Sequence, residues 1–457
     1  MPTQVAIKFD GREITYAELD EMANRAANGI LATGSRPGDV VALRAHNAPE
    51  TLAVFYGLAR AGITILPINP RLTREEVIWQ MADVEATKLI DDDGLGDLRS
   101  IEVIAGAGST PCDVDVDRDA YLTVRFTSGT TGRPKAVAMT HDSTAYMFEA
   151  LALELSLQPS DVTLVTAPIA HAAIAMAAST IVTRGTIVLE KGFDPALVWR
   201  TCDQHGVTFV FMVPTMFALS LDKPGDGSSI RTLLSMASIF TPTLMGRVKA
   251  RFPNARLLDA YAGTELGTAT LLRYDDHPKK SASVGRPAFG CRVRILDGAG
   301  TELPRGEIGT IYVQGRPLAA AFVGSQSPEP GTTRDGFLTV GDLGYMDTDG
   351  FLFLVDRRTD LIVTGGFNVY PSEVENVLQS HEGVETVAVI GLPDDTWGSI
   401  VTAVVQGTAP QEELEALCRE RLANYKAPRR FEYVDALPVN PSGKVLKREL
   451  RDRYHST

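Results

Sequence analysis

The sequence predicts an α/β fold with a large N-terminal domain of layered α/β subdomains, a small β-barrel-like subdomain and a small C-terminal α+β domain. Three observations support this prediction. In the first part of the chain, short apolar runs alternate with segments of helical periodicity, which is typical of a largely parallel sheet covered by helices. Residues 283–317 instead favour antiparallel hairpins with Gly and Pro at their turns. The length, 457 residues, allows two or three domains.

Two Thr-x-x-Glu sequences predict the starts of helices. At Thr15–Glu18 and Thr73–Glu76, the threonine can cap the helix and the glutamate can bond back to the threonine backbone. A further helix is predicted at residues 49–61. The strands between these helices are predicted at residues 40–43, 63–67 and 88–90. Residues 91–119 are acidic and then contain glycines, so we predict mostly loop there.

The rest of the chain continues this alternation and ends in a separate unit. Strands are predicted at residues 121–126, 207–213, 233–235 and 256–260, a turn at 214–217 and a helix at 241–252. From about residue 360 the pattern indicates an α+β domain of ordinary size, with a helix beginning near Pro371.

Composition and charge indicate which classes of partner this protein is not expected to bind. The formal net charge is -13, which argues against nucleic acids and anionic membranes as partners. The four cysteines lack metal-ligand spacing and are expected to be reduced thiols. The chain shows no signal-like start and no long apolar run, so we predict a cytoplasmic protein without a membrane partner.

The segment from Thr127 to Lys135 has the composition of a phosphate-binding loop. Glycines allow the backbone to turn tightly near a ligand, and successive N–H groups in such a turn form a nest for anions. The spacing Gly129-x-x-Gly132-x-x-Lys135 differs from that of the P-loop, so we predict a different polyphosphate-binding loop. Its candidate binding residues are Thr127, Ser128, Gly129, Thr130, Thr131, Gly132 and Lys135.

The order Thr-Ser-Gly-Thr-Thr-Gly-Arg-Pro-Lys resembles the signature loop of the adenylate-forming superfamily, which includes acyl-CoA synthetases, nonribosomal adenylation domains and beetle luciferases. Further family motifs follow in the same order, at Pro168–His171, Tyr261–Glu265, Val340–Asp342, Gly365–Glu375 and Gly443–Lys444. The resemblance extends over nearly the whole chain and is strongest to an acyl- or aryl-CoA ligase. It implies an N-terminal domain at residues 1–358 and a mobile C-terminal domain at residues 359–457 that carries the catalytic lysine.

The resemblance also implies how ATP is bound. Tyr261 is expected to pack on the adenine, Asp342 to bind the ribose hydroxyls, and Arg357 to bind the ribose or the α-phosphate. Thr264 is expected to contact the α-phosphate and Glu265 to hold Mg²⁺, which prefers hard oxygen ligands. Ala237 is expected to lie against the adenine. The implied catalytic residues are Lys444, Glu265, Thr264 and His171.

The acyl pocket, the CoA tunnel and the hinge are likewise implied by the resemblance. Gly365, Gly366 and Phe367 are expected to line the tunnel for the pantetheine arm, and Thr359 is expected to be the hinge. The segment Ser235–Ser238 replaces a Gly-Gly-Ala-Pro-like turn of the family, of which only the alanine remains. The acyl-pocket candidates are His171, Ala172, Phe211, Met212, Ser235, Met236 and Gly263.

Together these residues predict an ATP-dependent acid–thiol ligase that uses ATP, Mg²⁺ and CoA. A carboxylate would attack the α-phosphate of ATP to give acyl-AMP and pyrophosphate, and the acyl group would then pass to CoA. The mostly apolar pocket candidates favour a medium apolar or aryl acid as the substrate. Three alternatives remain open: transfer to the phosphopantetheine of a carrier protein, transfer to an amine, and a pseudoenzyme that only binds nucleotide. The presence of both Lys444 and Glu265 disfavours the pseudoenzyme.

Overall fold

The computed structural model describes residues 3–96, 98–105, 107–128, 134–237, 240, 242–275, 277–325, 333–356, 362–369, 371–438, 445 and 447–455, with the backbone alone at 128, 171, 243, 333, 355, 356, 372 and 448. Within these residues no helix has the length and apolar character needed to span a membrane.

The first part of the chain alternates helices and short strands, as predicted. Both predicted capping boxes are present: the Thr15 and Thr73 side chains accept from the Glu18 and Glu76 N–H groups. The elements are β1 (Val5–Phe9), β2 (Arg12–Thr15), α1 (Tyr16–Ala32), β3 (Val40–Arg44), α2 (Pro49–Arg60), β4 (Thr64–Pro67), α3 (Arg74–Asp83), β5 (Lys88–Asp91) and α4 (Ser100–Ala105).

Helix α4 lies within residues 91–119, whose described residues are otherwise mostly loop, as predicted. The Asp92 carboxylate accepts from both the backbone N–H and the hydroxyl of Ser100, the first residue of the helix. Val103 and Ile104 are buried in the same apolar cluster as residues of α1 and α2. The tertiary contacts of these two side chains therefore stabilise a helix too short to show clear periodicity.

The middle of the chain contains the elements that carry the candidate site. These are β6 (Tyr121–Ser128), β7 (Pro134–Thr140), α5 (His141–Leu155), β8 (Val162–Val165), α6 (Ile174–Val182), β9 (Thr186–Leu189), α7 (Val198–His205), β10 (Phe209–Phe211), α8 (Pro214–Ser220), β11 (Thr232–Met236), α9 (Pro242–Arg251), β12 (Arg256–Gly263), β13 (Gly267–Arg273) and β14 (Arg286–Pro287). Helix α8 stands where a turn was predicted. Pro214 occupies its first turn, a position that proline favours, and Phe217 is fully buried.

Most strands of the two large sheets are parallel, as predicted. The nine-stranded sheet has the order β14-β13-β12-β11-β10-β8-β9-β1-β2, and its pairs from β12 to β1 are parallel. The second sheet has six strands and includes β6, β4, β3 and β5 as parallel neighbours. The carboxyl ends of β10, β11 and β12 therefore lie along one edge, where α/β proteins commonly bind ligands.

A mostly antiparallel subdomain follows, in agreement with the predicted β-rich region. Its sheet has the order β18-β19-β16-β20-β21, with β15 paired to β16, whereas β17 joins β7 in the second large sheet. The elements are β15 (Cys291–Leu296), β16 (Gly309–Gly315), β17 (Ala321–Val323), β18 (Thr333–Arg334), β19 (Phe337–Leu338), β20 (Leu343–Met346) and β21 (Leu352–Asp356).

The C-terminal region is an α+β unit with an apolar core of its own. Its three-stranded sheet has the order β24-β25-β26, and a two-stranded hairpin lies beside it. The elements are β22 (Ile362–Thr364), β23 (Phe367–Val369), α10 (Pro371–Gln379), β24 (Val384–Asp394), β25 (Gly398–Gly407), α11 (Gln411–Arg421), β26 (Arg430–Tyr433) and α12 (Lys447–Tyr454). The predicted helix start near Pro371 is confirmed.

Candidate active site

The predicted phosphate loop connects the two strands of an antiparallel hairpin. Strands β6 and β7 pair up to the register Thr127–Lys135 and Ser128–Pro134, so both ends of the loop are fixed by the sheet. Val124 and Ala138, further along the hairpin, are buried in the core of the second sheet. The folded hairpin therefore presents the Thr127 hydroxyl and Lys135 at the base of the loop.

A hydrogen bond joins the base of this loop to the predicted metal-binding glutamate. The Thr127 hydroxyl donates to Oε1 of Glu265 over 2.7 Å, although the residues are 138 positions apart. Glu265 lies in the tight connection between β12 and β13, where Gly263 pairs with Gly267. Burial of the carboxylate raises the pKa of Glu265, and nearby Asp342 raises it further, while Thr127 and Lys135 oppose the shift. A cation or a cationic side chain at this point would therefore be stabilised.

The predicted adenine and ribose residues are also in contact. The Tyr261 hydroxyl donates to Oδ2 of Asp342 over 2.6 Å, and both side chains are buried. Tyr261 lies near the carboxyl end of β12, and Asp342 immediately precedes β20. Thr264, the predicted α-phosphate contact, is half-buried in the turn beside Glu265. The fold thus collects the predicted nucleotide residues from two large sheets and the β-rich subdomain.

Ala237 has a backbone conformation that alanine rarely adopts. Its φ is 76°, and it follows directly after Met236, the last residue of β11. A non-glycine residue at positive φ is strained by about 1–3 kcal/mol, and such strain concentrates at functional sites. The position of Ala237 at the carboxyl edge of the sheet agrees with its predicted place against the nucleotide.

The candidates for the acyl pocket lie on two faces of the nine-stranded sheet. Phe211 and Met236 are buried in one apolar cluster, against which Ala172 packs. Met212 packs in a different cluster on the opposite face, because successive side chains of a strand alternate. By the same alternation, Ser235 lies on the face that Met212 occupies, opposite to Met236. Ala172, Phe211 and Met236 therefore share one cluster, whereas Met212 and Ser235 stay predictions on the other face.

The other two pocket candidates lie near the edges of this cluster. A Cβ built on Gly263 would be 3.7 Å from both Oε2 of Glu265 and Cγ of the buried Leu266, so this glycine borders the carboxylate and an apolar side chain. The backbone of His171 lies in a single π-helical turn, Ile169–Ala173, a feature that is frequent at functional sites.

Asp259 is a buried carboxylate that the sequence reasoning missed. It is 6% exposed, its Oδ1 has no hydrogen-bond partner, and burial raises its pKa well above the usual carboxyl value. It pairs in register with Ser235 of β11, whose buried hydroxyl also has no partner. Asp259 precedes Tyr261 by two positions and shares its face of β12. An aspartate inside the apolar run Leu257–Ala260 was the signal that could have revealed it.

The predicted CoA tunnel lies where the C-terminal region meets the rest of the protein. Gly365 and Gly366 connect β22 to β23 with φ values of 56° and 80°. A Cβ on Gly365 would be 2.9 Å from the Trp397 ring, and one on Gly366 would be 2.8 Å from Val213. Contacts this short exclude larger residues, so Gly365 lets the turn approach Trp397 of the small domain and Gly366 lets it approach Val213 of the large one.

Phe367 continues this contact. Its ring stacks on Tyr425 at 4.5 Å between centroids, and the Arg71 guanidinium lies 5.0 Å from the same ring. Arg71 belongs to the segment between β4 and α3, so the contact crosses from the small domain to the large one. Two of the three predicted tunnel residues, Gly366 and Phe367, therefore contact the large domain.

Comparison with known proteins identifies the family. Residues 1–322 match the sequence profile of the AMP-binding enzymes, and residues 373–444 match that of the AMP-binding enzyme C-terminal domain. The chain belongs to the AMP-binding enzyme family. The predicted fold class and the predicted enzyme class, an AMP-forming acyl-CoA synthetase of the adenylate-forming superfamily, are confirmed.

Curated relatives of this AMP-binding enzyme match along almost their whole length. It is 36% identical to a feruloyl-CoA synthase of an Amycolatopsis species, covering 99% of this chain and 96% of that protein. It is 32% identical to a 2-succinylbenzoate–CoA ligase of Bacillus pumilus, with 99% and 96% covered. It is also 32% identical to a fatty acid–[acyl-carrier-protein] ligase of Streptomyces coeruleorubidus, with 99% and 94% covered.

Solved structures of AMP-binding enzymes superpose with two levels of agreement. The o-succinylbenzoate CoA synthetase of Bacillus subtilis, bound with its product analogue OSB-NCoA, gives a TM-score of 0.91 at 29% identity, covering 99% of this chain and 96% of that one. The amide bond synthetase McbA of Marinactinospora thermotolerans gives 0.92 at 28% identity, with 99% and 97% covered. ATP-bound MatB of Rhodopseudomonas palustris gives 0.73 at 31% identity, with 99% and 96% covered.

Several predicted site residues of this AMP-binding enzyme stay predictions because they lie outside the described residues. They are Gly129, Thr130, Thr131, Gly132, Arg357, Thr359 and Lys444, and the same holds for the side chains of Ser128 and His171.

Proposed function

We propose that this AMP-binding enzyme activates an apolar aryl acid of medium size as its acyl-AMP and transfers the acyl group to CoA. One observation carries the assignment of the site: the Thr127–Glu265 and Tyr261–Asp342 hydrogen bonds bring the phosphate loop, the carboxylate and the nucleotide residues together. They lie at the edge of the sheet that also carries the apolar pocket candidates Phe211 and Met236.

The apolar cluster below the nucleotide residues supports an aryl substrate. Phe211 and Met236 form its buried wall, and alanines at positions 172, 237 and 262 are partly exposed beside them. Small side chains around a cleft leave room for a flat ring, and apolar walls favour burial of its faces. The 36% identity to a feruloyl-CoA synthase, whose name specifies an aromatic acid, supports the same substrate class.

The face of the sheet opposite to Phe211 and Met236 has residues suited to binding the nucleotide. Tyr261 offers an aromatic surface for a purine, and Asp259 lies two positions before it with a free buried oxygen. Oδ1 of Asp259 would recognise the exocyclic amine of adenine by accepting its hydrogen bond. Asp342 accepts from the Tyr261 hydroxyl through Oδ2, and carboxylate oxygens are suitable acceptors for the ribose hydroxyls.

Mg²⁺ fits the residues that are present. Glu265 is a desolvated carboxylate beside a second one, Asp342, and such a pair is stabilised by a cation. Across the described part of the chain, no three His, Cys, Asp or Glu side chains group together as metal ligands. Glu265 would therefore hold the ion together with phosphate oxygens, as is usual for Mg²⁺. Bound there, the ion would neutralise charge on the phosphates.

In the first step both reactants are anions, so the protein must supply positive charge and alignment. The substrate carboxylate oxygen forms a bond to the α-phosphorus while the bond to pyrophosphate breaks. Lys135 and the N–H groups of the loop would stabilise the charge on the phosphates, and Lys444 would do so from the C-terminal domain. Anchored at both ends by the β6–β7 pairing, the loop would hold the phosphate in line with the attacking carboxylate, which lowers the entropic part of the barrier.

In the second step a thiolate attacks the acyl carbonyl carbon and AMP leaves. The orientation of the small domain on the large one supports the view that the structure represents the state for thiol transfer. It agrees better with the synthetase bound to its product analogue than with ATP-bound MatB, at similar identity and coverage. The proposed large domain is about four fifths of the chain. If only this domain superposed and the small domain were rotated, the TM-score would be about four fifths of its maximum of 1, close to the 0.73 of MatB. We therefore assign the described orientation to thiol transfer and a rotated one to acyl-AMP formation.

Two other acceptors have specific support. One relative is a ligase for an acyl carrier protein, and one structural neighbour forms amide bonds. Incubating the enzyme with ATP and an acid, and then with CoA, a phosphopantetheinylated carrier protein or an amine, would separate the three by the mass of the product. We expect acyl-CoA, and exclusive formation of an amide or a carrier thioester would contradict the proposal.

The assigned role of Lys444 predicts a selective defect. Lys444→Ala should reduce acyl-AMP formation by about 10²–10³-fold, the usual effect of removing one aimed donor, and should spare thioester formation from supplied acyl-AMP. Pyrophosphate release and acyl-CoA formation would be measured separately across a panel of cinnamic, benzoic and aliphatic acids. Lys279→Ala, which removes an exposed lysine outside the proposed site, is the matched control. Equal loss in both steps would remove Lys444 from this role.

A further inference from the structure

A buried lysine bridges the two domains. Lys426, in the segment between α11 and β26, is 7% exposed. Its Nζ lies 2.6 Å from Oε1 of Glu76 and 2.7 Å from Oε1 of Glu373. Glu373 belongs to α10 of the small domain, whereas Glu76 belongs to α3 of the large domain. One ammonium group thus joins carboxylates from both sides of the domain boundary.

The acceptor on the large domain is held rigidly. Oε2 of Glu76 accepts from the backbone N–H of Thr73 over 2.9 Å, which leaves Oε1 for the lysine. This hydrogen bond is part of the capping box of α3, so the direction of the Glu76 side chain is fixed by the helix that carries it. The pairing therefore requires the small domain to lie in one orientation.

Contacts around the bridge exclude water from it. Tyr425, next to Lys426 in sequence, packs both on the core of the small domain and on a large-domain cluster that includes Leu66 and Ile68. Ala423 is buried in that same cluster. Burial alone would lower the pKa of Lys426, but Glu373, Tyr425 and Glu76 together raise it, so the ammonium stays charged. An unpaired charge in such a place would be costly, which ties the pairing to the docked arrangement.

We propose that Lys426 is a positioning residue that fixes the small domain in the orientation for thiol transfer, by bridging to Glu76 across the domain boundary. This inference rests on the two-step function proposed above. The same contact that the bridge stabilises brings the Gly365–Gly366 turn against Val213, where the pantetheine tunnel is predicted. Acyl-AMP formation, in which Lys444 must approach ATP, requires this bridge to open.

Two glutamine substitutions separate the interdomain pair from the pair within the small domain. Glu76→Gln removes the charge of the large-domain partner but keeps the capping box, because glutamine can also serve in it. Glu373→Gln is the matched control, since it changes the same lysine and leaves the interdomain pair intact. Lys426→Met removes both pairs, and Lys426→Arg retains the positive charge.

The two half-reactions give the decisive measurement. In Glu76→Gln and Lys426→Met we expect thioester formation from supplied acyl-AMP to fall about tenfold, with a raised KM for CoA, while pyrophosphate release stays within about twofold of the wild type. Glu373→Gln should change either rate by less than about threefold, and Lys426→Arg should recover part of the loss. Equal losses in both half-reactions, or equal effects of Glu76→Gln and Glu373→Gln, would overturn the proposal.

A measurement without turnover keeps the inference separate from the proposed chemistry. Hydrogen–deuterium exchange should increase at residues 68–76 and 422–427 in Glu76→Gln but not in Glu373→Gln, because only the first substitution removes the ion pair between Lys426 and the large domain. Unchanged exchange at both segments would overturn the bridge even if the enzyme makes acyl-CoA. Increased exchange in an enzyme that makes no thioester would support the bridge and contradict the proposed function instead.

Discussion

At the scale of single residues, the candidate site contains carboxylates that oppose folding. Burial raises the pKa values of Asp259 and Glu265, so each carboxylate is less stable in its charged form than it would be in water. Ala237 adds backbone strain at the end of β11. A bound nucleotide would supply a hydrogen-bond donor to Asp259, a cation beside Glu265 and a close contact with Ala237. Binding of ATP should therefore relieve costs that the free protein carries.

Asp259→Asn should stabilise the free protein at neutral pH. Because the folded pKa is raised, the native state retains a proton that the unfolded chain releases, and stability falls as the pH rises above the usual carboxyl value of about 4. Asparagine keeps the shape and removes this dependence. We expect a gain of about 1–3 kcal/mol at pH 8 that vanishes near pH 4, measured by urea unfolding across that range. A difference that does not change with pH would contradict the assigned origin.

At the scale of elements, a buried ion pair fixes the segment that receives the small domain. Arg44 ends β3 and Asp91 ends β5, and Nη1 of the arginine lies 2.7 Å from the buried carboxylate. Its Nη2 donates to the carbonyl of Pro70, also over 2.7 Å, next to Arg71 at the domain boundary. The ends of two parallel strands thus position the loop before α3, and with it the docking surface for the small domain.

Arg44→Met should destabilise the large domain by about 3–5 kcal/mol, because the fully buried Asp91 loses its charge partner. The matched control is Arg25→Met, whose arginine forms a solvent-exposed i,i+4 pair with Glu21 and should cost less than about 1 kcal/mol. The free energy of unfolding from denaturant titration measures both. Equal effects would show that the Arg44–Asp91 pair contributes no more than a surface pair.

At the scale of the whole molecule, several contacts among the described residues join the small domain to the large one. They include the Lys426 bridge, the Phe367–Arg71 contact, the approach of Gly366 to Val213 and the packing of Ala423 and Tyr425 on a large-domain cluster. Because the small domain has an apolar core of its own, a rotation that breaks these contacts is compatible with an intact small domain.

Small-angle X-ray scattering should detect this rotation. We expect the profile of the enzyme with CoA and a non-reactive acyl-AMP analogue to match the described arrangement. An α,β-methylene analogue of ATP together with the acid substrate should shift the profile, because Lys444 would be drawn to the triphosphate. Addition of the acid alone is the control and should leave the profile unchanged. Identical profiles with both nucleotides would contradict domain rotation.

Much of the fold and part of the site could be predicted because they depend on local order. The capping boxes at Thr15 and Thr73 require only four consecutive residues, and strand alternation requires only neighbours. Helix α4 escaped prediction because its stability comes from packing against α1 and α2. The sequence did not show that Met212 and Phe211 lie on opposite faces of the sheet, because hydrophobicity alone does not tell which face of a strand a residue occupies.

The sequence by itself determined the family, the two-step chemistry and the residue types at the phosphate loop, since these are carried by contiguous motifs. Only the tertiary structure decided that Thr127 bonds to Glu265, that Oδ1 of Asp259 is buried without a hydrogen-bond partner, and that Lys426 reaches Glu76. Each of these depends on which distant segments the sheets bring together and on how far water is excluded there. The spacing of residues along the chain tells neither which distant segments become neighbours nor how deeply they are buried.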